Sequence, residues 1–120
     1  MTLYHFCTPQ EWEEKRAAGV YKPDSLHQEG FIHLSTKQQL PKTYERYFGA
    51  LENVLLLRIT LQEDDTALRF EDLYDRKEAF PHYYAPLPVD AVDDCIPVPR
   101  PTMGGSPDYE QVLHTFFEQL

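Results

Sequence analysis

The 120-residue chain carries 20 acidic against 11 basic side chains, a formal charge of -9. That balance repels a phosphate backbone at long range, so nucleic acid is not an expected partner. A chain of this length forms one domain that buries roughly two thirds of its unfolded surface, and its core needs neither a structural metal nor a disulfide.

Cys7 and Cys95 stand far apart in no metal-like spacing, and "MTLYHFCTPQ" is not a charged-then-apolar leader, so a reduced, cytoplasmic protein is expected. The longest apolar run, "VLLL" at 54–57, is too short to cross a bilayer, and no polybasic tract or lipidation signal accompanies it. No membrane role is expected.

In chain order, "LYHFC" reads as a strand that hands directly to a helix. Thr8 is suited to cap it, Pro9 to its first turn and Glu11 to a capping box. This helix is expected to run through Trp12 toward Ala18 and stop at Gly19, with "KPDSLHQEG" as a loop. Phe31, Ile32 and Leu34 read as a short buried strand. Ser35 and Gln38 form a second capping-box pair, ahead of a helix over about 41–48 whose apolar face is Tyr44, Tyr47 and Phe48. "VLLLRITL" is apolar on both faces and then alternates at Leu57, Ile59 and Leu61, the pattern of a central strand. "EDD" at 63–65 marks a turn and "ALRFEDL" another strand. "EAFPHYYAPLPVDAVDDCIPV" holds short extended pieces divided by prolines. "VPRPTMGGSPD" is the best linker. After it Tyr109, Val112, Leu113, Phe116, Phe117 and Leu120 recur at helical spacing, an apolar stripe expected to pack on its own domain, with a dimer contact as the alternative. The sum is an α+β domain with a mixed or antiparallel sheet and short flanking helices, either a monomer or a weak homodimer.

Three of the five histidines, His5, His33 and His82, sit in apolar settings, "LYHFC", "FIHLS" and "FPHYY", where a polar ring needs partners. Each read alone is a satisfied core histidine; together they are candidates for one site. His5 and His33 suit proton transfer, with Ser35 and Thr36 binding a polar ligand where free backbone amides face it; the plainer reading of Ser35 is a helix cap. A zinc site built from three imidazoles is the rival chemistry, but no two lie three or four residues apart on a helix. Arg69 and Glu71 share a strand face, with Phe70 on the other, either as an exposed ion pair or as an anion grip and a base. Phe80, Tyr83 and Tyr84 suit either a core cluster or a wall that stacks a planar ring. Cys7 has no activating neighbour other than His5.

The ordered motifs "LYHFCTPQEWEEKRAAGVYKPDSLHQEGFIHLST", "VLLLRI", "LRFEDL" and "FPHYYAPLPVDAV" resemble the bacterial family known as domain of unknown function 952. The resemblance covers about residues 3–96, which implies a domain over 3–97 and a C-terminal extension, 98–120, carrying the amphipathic helix. It also implies a fold similar to the ADP-ribosyltransferases, split-sheet domains that bind NAD in a cleft. By that likeness His5 faces the ribose, and Ser35 or Thr36 stands in the second motif beside His33. Glu71 is the nearest match to the catalytic glutamate, although earlier in the chain than the pattern has it, with His82 at the place such a residue would take. The related RNA 2'-phosphotransferases use several arginines that this acidic chain does not supply in matching motifs. The resemblance therefore implies a pocket for a nucleotide or other polar small molecule. His5, His33, Glu71 and His82 would be its catalytic residues, Ser35, Thr36, Arg69 and Tyr83 its ligand-binding residues, and NAD an implied substrate rather than a resident cofactor. Glycosyl or ADP-ribosyl transfer is the implied reaction. A non-catalytic binding module and a histidine-rich metal hydrolase are the alternatives, and fold likeness alone does not carry an activity over.

Overall fold

A computed structural model describes residues 1–100 and 108–120; most of the expected linker lies outside the described residues. β1 (Thr2–Cys7) runs straight into α1 (Pro9–Lys15), and the Thr8 hydroxyl accepts the Glu11 N–H at 3.1 Å, the Thr8 half of the expected capping box; Glu11 does not complete the box, because its carboxylate accepts the Tyr21 hydroxyl. The helix does not reach Ala18. It ends at Lys15, and Arg16–Ala17 (β2) and Val20–Tyr21 (β3) form a hairpin instead. Ala18 at φ 54° and Gly19 at φ 81° make its turn, so the left-handed glycine serves a hairpin rather than a helix end. Pairing of β3 with the later strand β8 (Leu87–Pro88) fixes Tyr21 in the core, and this tertiary contact outweighs the helical preference of "KRAA".

The expected loop at 22–30 contains a further helix, α2 (Asp24–Glu29), closed by Gly30 at φ 88° with its N–H on the Leu26 carbonyl. β4 (Ile32–His33) follows. The capping box is shifted one residue from expectation. Thr36 and Gln39 form it, with the Thr36 N–H donating to Gln39 Oε1 at 3.0 Å, because Ser35 is occupied in backbone pairing with Tyr4. Helical structure then continues without a break as a 3-10 turn (Lys37–Gln39), α3 (Leu40–Thr43) and a π-helical turn (Tyr44–Phe48). β5 (Leu55–Thr60), β6 (Leu68–Glu71), β7 (Phe80–Tyr83), β8, a 3-10 turn (Val89–Ala91) and β9 (Val92–Pro97) complete the strands, and α4 (Tyr109–Glu118) closes the described chain.

Among the described residues the strands form three small sheets, β1-β5-β9, β2-β3-β8 and β4-β7-β6, with every pairing antiparallel. β5 is the central strand of the first, as its two-sided apolar pattern predicts. Alternation along β1 divides the interior in two. Leu3 and Cys7 join Leu57, Ile59, Tyr21 and Leu87 on one side, while Tyr4 and Phe6 join Leu40, Tyr44, Leu56 and Phe117 on the other. α4 packs back on its own chain over the second group. The Phe117 ring lies 6.2 Å from Phe6 and 6.0 Å from Tyr44, and Lys37 Nζ donates to the carbonyls of Glu118 and Leu120. Among the described residues no helix is long and apolar enough to cross a membrane.

An isolated backbone bridge joins β1 of the first sheet to the segment just after β4 of the third. Tyr4 and Ser35 exchange backbone hydrogen bonds at 2.9 and 2.8 Å, and beyond that bridge β1 and β4 separate. A continued antiparallel ladder would bring the Phe6 N–H to the His33 carbonyl. That carbonyl accepts instead from His5 Nδ1 at 2.6 Å, so a side chain holds the seam where the ladder stops.

Candidate functional site

The separation of β1 from β4 opens a cavity of about 600 Å³, walled by His5 and Cys7 of β1, His33 of β4 and His82 of β7. His33 and His82 are direct cross-strand partners, so both rings stand on one face, with centroids 5.8 Å apart. Phe31 packs edge-on against both, at 5.0 and 4.7 Å. The three imidazoles that the sequence singles out thus meet at one hollow.

Their environments differ. His5 is 7 % exposed and has partners on both nitrogens: His33 O on Nδ1, and the Tyr21 hydroxyl on Nε2 at 2.9 Å. Burial is the main effect on it and pushes its imidazole below the ordinary histidine range. The Tyr21 hydroxyl also lies 2.8 Å from Glu11 Oε1. With Nδ1–H given to a carbonyl, a neutral His5 presents a bare Nε2, and the single Tyr21 proton cannot serve both Nε2 and a carboxylate. The Tyr21 hydroxyl is the bridge between His5 and Glu11 at the cavity wall.

His33 is the accessible imidazole, its side chain 43 % exposed, and its Nε2 lies 2.6 Å from Glu29 Oε2. A carboxylate there fixes Nε2 as the protonated nitrogen and leaves Nδ1 of the neutral ring with its lone pair. Gly30 makes this possible: its left-handed turn ends α2 and brings the chain back so that Glu29 reaches across to β4. Tyr74 lies over the ring at 6.3 Å and 24°. His82 is almost fully buried, and desolvation lowers its pKa first, with the nearby His33 adding to the effect. Its Nδ1 has no hydrogen-bond partner among the described residues; Glu71 Oε1 stands off at 3.8 Å.

Ser35 is buried and lines the cavity as expected. Four other expected residues do not line it. Thr36 is spent on the capping box, and Tyr83 is a core residue whose hydroxyl donates to Asp65 at 2.9 Å. Arg69 and Glu71 do share a face, but one strand further out. The Arg69 guanidinium stacks 4.9 Å from the Tyr84 ring, and Glu71 accepts the Tyr84 hydroxyl at 2.6 Å, so neither forms the exposed ion pair nor reaches the hollow. Of the expected aromatic wall only Phe80 contributes, joined by Tyr47, Phe48 and Tyr74. Cys7 also lines the cavity, yet burial, with Glu11 as the next cause, pushes its thiol up to about 12, so it is no nucleophile as it stands. Both cysteines are free. Among the described residues no three His, Cys, Asp or Glu side chains are grouped to hold a metal.

Sequence reasoning misses Tyr21, Glu11, Glu29 and Arg76. The "EGFIH" spacing places Glu29 four residues before His33, and that was the available signal; Glu11 is disguised as a capping residue.

An antiparallel α+β protein with a histidine-lined cleft where two sheets part is the class that fold and site define. Residues 6–95 match the family described as Protein of unknown function (DUF952), and the chain belongs to it. It is similar to protein CC0527 from Caulobacter crescentus. The crystal structure of that protein is 25 % identical, covers 93 % of this chain and 98 % of its own, and has a TM-score of 0.74. The same figures hold for a double-mutant crystal form, and the solution structure is 28 % identical over 92 % of this chain and 94 % of its own, with a TM-score of 0.71. No curated protein matches the chain. None of the three structures is described as an ADP-ribosyltransferase, so that likeness gains no support from them.

Proposed function

We propose that the cavity binds a small molecule with a planar, nucleotide-like portion, and that the His33–Glu29 pair acts on it as general acid and base. The observation that carries this is the 2.6 Å contact that orients an exposed imidazole at the mouth of a cavity with aromatic walls. The size of the hollow falls in the usual range for small-ligand sites, and Tyr74 and Tyr47 offer faces for a planar ring. A carboxylate that fixes one imidazole nitrogen and leaves the other to exchange protons is a recurrent acid–base device.

Glycosyl or ADP-ribosyl transfer from NAD is the narrower form of this reading. It cannot use Glu71, which faces Tyr84; Glu29 is the carboxylate in a position to stabilise a developing oxocarbenium ion beside His33. The test is thermal unfolding of the purified protein with adenosine, AMP and NAD, together with nicotinamide release from NAD by the wild type and by His33→Gln. The proposal expects a rise in melting temperature with at least one of the three, since a ligand specific for the folded state stabilises it by mass action. No rise with any of them overturns it. A rise without turnover supports the non-catalytic binding module, a reading favoured by the full engagement of His5 and the protonated state of Cys7.

A further inference from the structure

A second hollow of about 330 Å³ adjoins the histidine cavity and shares Thr43, Tyr47, Arg76 and Phe80 with it. Three cations face it: Lys42 and Arg46, one helical turn apart where α3 passes into the π-helical turn, and Arg76 from the loop between β6 and β7. In a chain with 20 carboxylates and 11 cations, neutralising contacts are easily found elsewhere: Lys15 pairs with Asp24, Arg16 with Glu13 and Arg58 with Asp94. Among the described residues these three make no ion pair. Glu78 also lines the hollow and accepts from the Gln39 amide at 2.8 Å; its single carboxylate stands against the three cations, so the lining remains net positive.

Arg76 is held in place before any ligand arrives. Its guanidinium donates to the Tyr47 hydroxyl at 2.7 Å and lies 5.7 and 5.4 Å from the Tyr47 and Tyr74 rings. Its backbone N–H, with that of Lys77, is fixed by the Asp72 carboxylate at 2.9 and 2.8 Å. A planar fork positioned in this way suits a multidentate oxyanion, and the ordering cost of the side chain is already met. The screening length at physiological salt is about 8 Å, so the surplus carboxylates elsewhere on the surface do not cancel the net positive charge left after Glu78. The π-helical turn is a second pointer, since such turns recur at functional sites, and this one supplies Arg46, Tyr47 and Phe48 to the two hollows.

We infer that the smaller hollow seats a tetrahedral oxyanion, a phosphate-type group carried by the ligand whose planar portion occupies the histidine cavity. This rests on the reading of that cavity given above. The ligand class is then a phosphorylated planar small molecule, with Arg76 spanning the two compartments and Lys42 and Arg46 reading the charge.

Calorimetric titration of the full chain with adenosine, AMP and inorganic phosphate tests it, in the wild type and in Lys42→Gln/Arg46→Gln, whose exposed side chains leave the core untouched. The expected result is AMP binding at least tenfold tighter than adenosine, with the advantage lost in the double variant and eroded by added salt, while adenosine binding stays unchanged. Equal binding of AMP and adenosine by the wild type overturns the anion seat and leaves the planar-ligand reading standing. An AMP advantage that survives in the double variant overturns it too. Phosphate bound alone and lost in the double variant, with neither adenosine nor AMP bound, supports the seat and overturns the planar ligand. Binding of none of the three overturns both.

Discussion

At the scale of single residues, the chemistry lies in hydrogen-bond counts. Tyr21 joins His5 to Glu11 through one hydroxyl, while its ring is buried against Trp12 at 5.2 Å. Tyr21→Phe keeps the ring and removes the bridge, which leaves His5 Nε2 without a partner in a desolvated place. The expected loss is about 1–3 kcal/mol, read by urea unfolding, with a change in the His5 imidazole nitrogen signals by NMR. Unchanged stability together with unchanged nitrogen signals would show that the bridge does not matter. Cys7 makes a second prediction. With its thiol pushed up to about 12, it carries almost no thiolate at pH 8, and an alkylating reagent applied to the folded protein should spare it while labelling the less buried Cys95. Peptide mass spectrometry reads the outcome, and labelling of Cys7 as fast as in denatured protein would contradict the burial argument. The histidines were legible in the sequence because imidazoles flanked by apolar neighbours are conspicuous. Their partners were not, since Glu11, Glu29 and Tyr21 each have an ordinary structural role that hides a contact made only in three dimensions.

At the scale of elements, legibility follows length and periodicity. β1, β5 and α4 are long enough for alternation or helical spacing to accumulate, and the structure has them where the pattern predicts. α2 has six residues and Leu26 as its only apolar member, and β2 and β3 have two residues each, too few to set a period. The hairpin turn at Ala18 and Gly19 lacks the usual Asn-Gly signature, so it passes for a helix end. α2 matters to the site because of how it stops. Gly30 sits at φ 88°, and a methyl group added there would have no neighbour within 4 Å, so Gly30→Ala meets conformational strain and no steric clash. A cost of about 1 kcal/mol is expected. The same substitution should loosen the Glu29–His33 contact, seen as a shift of the His33 ring signals toward those of Glu29→Gln. If Gly30→Ala leaves both stability and the His33 signals as they are, the turn does not position the pair.

At the scale of the whole molecule, two buried imidazoles tie stability to pH. Burial lowers both His5 and His82 from the ordinary value of about 6.5. Below that value the unfolded chain takes up protons that the folded chain refuses, so stability is full above about pH 6.5 and falls as the pH drops toward the depressed folded values. The groups facing His5 are Glu11, Tyr21 and His33, and those facing His82 are His33, Glu71 and Glu29; the carboxylates oppose the shift but do not reverse it. Net charge pushes the other way. A chain at -9 repels itself less as protons bind, which on its own would raise stability on mild acidification. The two effects are therefore separable by direction. Urea unfolding midpoints measured from pH 7.5 to 5.5 are expected to fall, and His5→Gln and His82→Gln should each flatten the decline, because a neutral amide has no proton to gain. A midpoint that holds steady or rises across that range would mean that self-repulsion outweighs the buried rings.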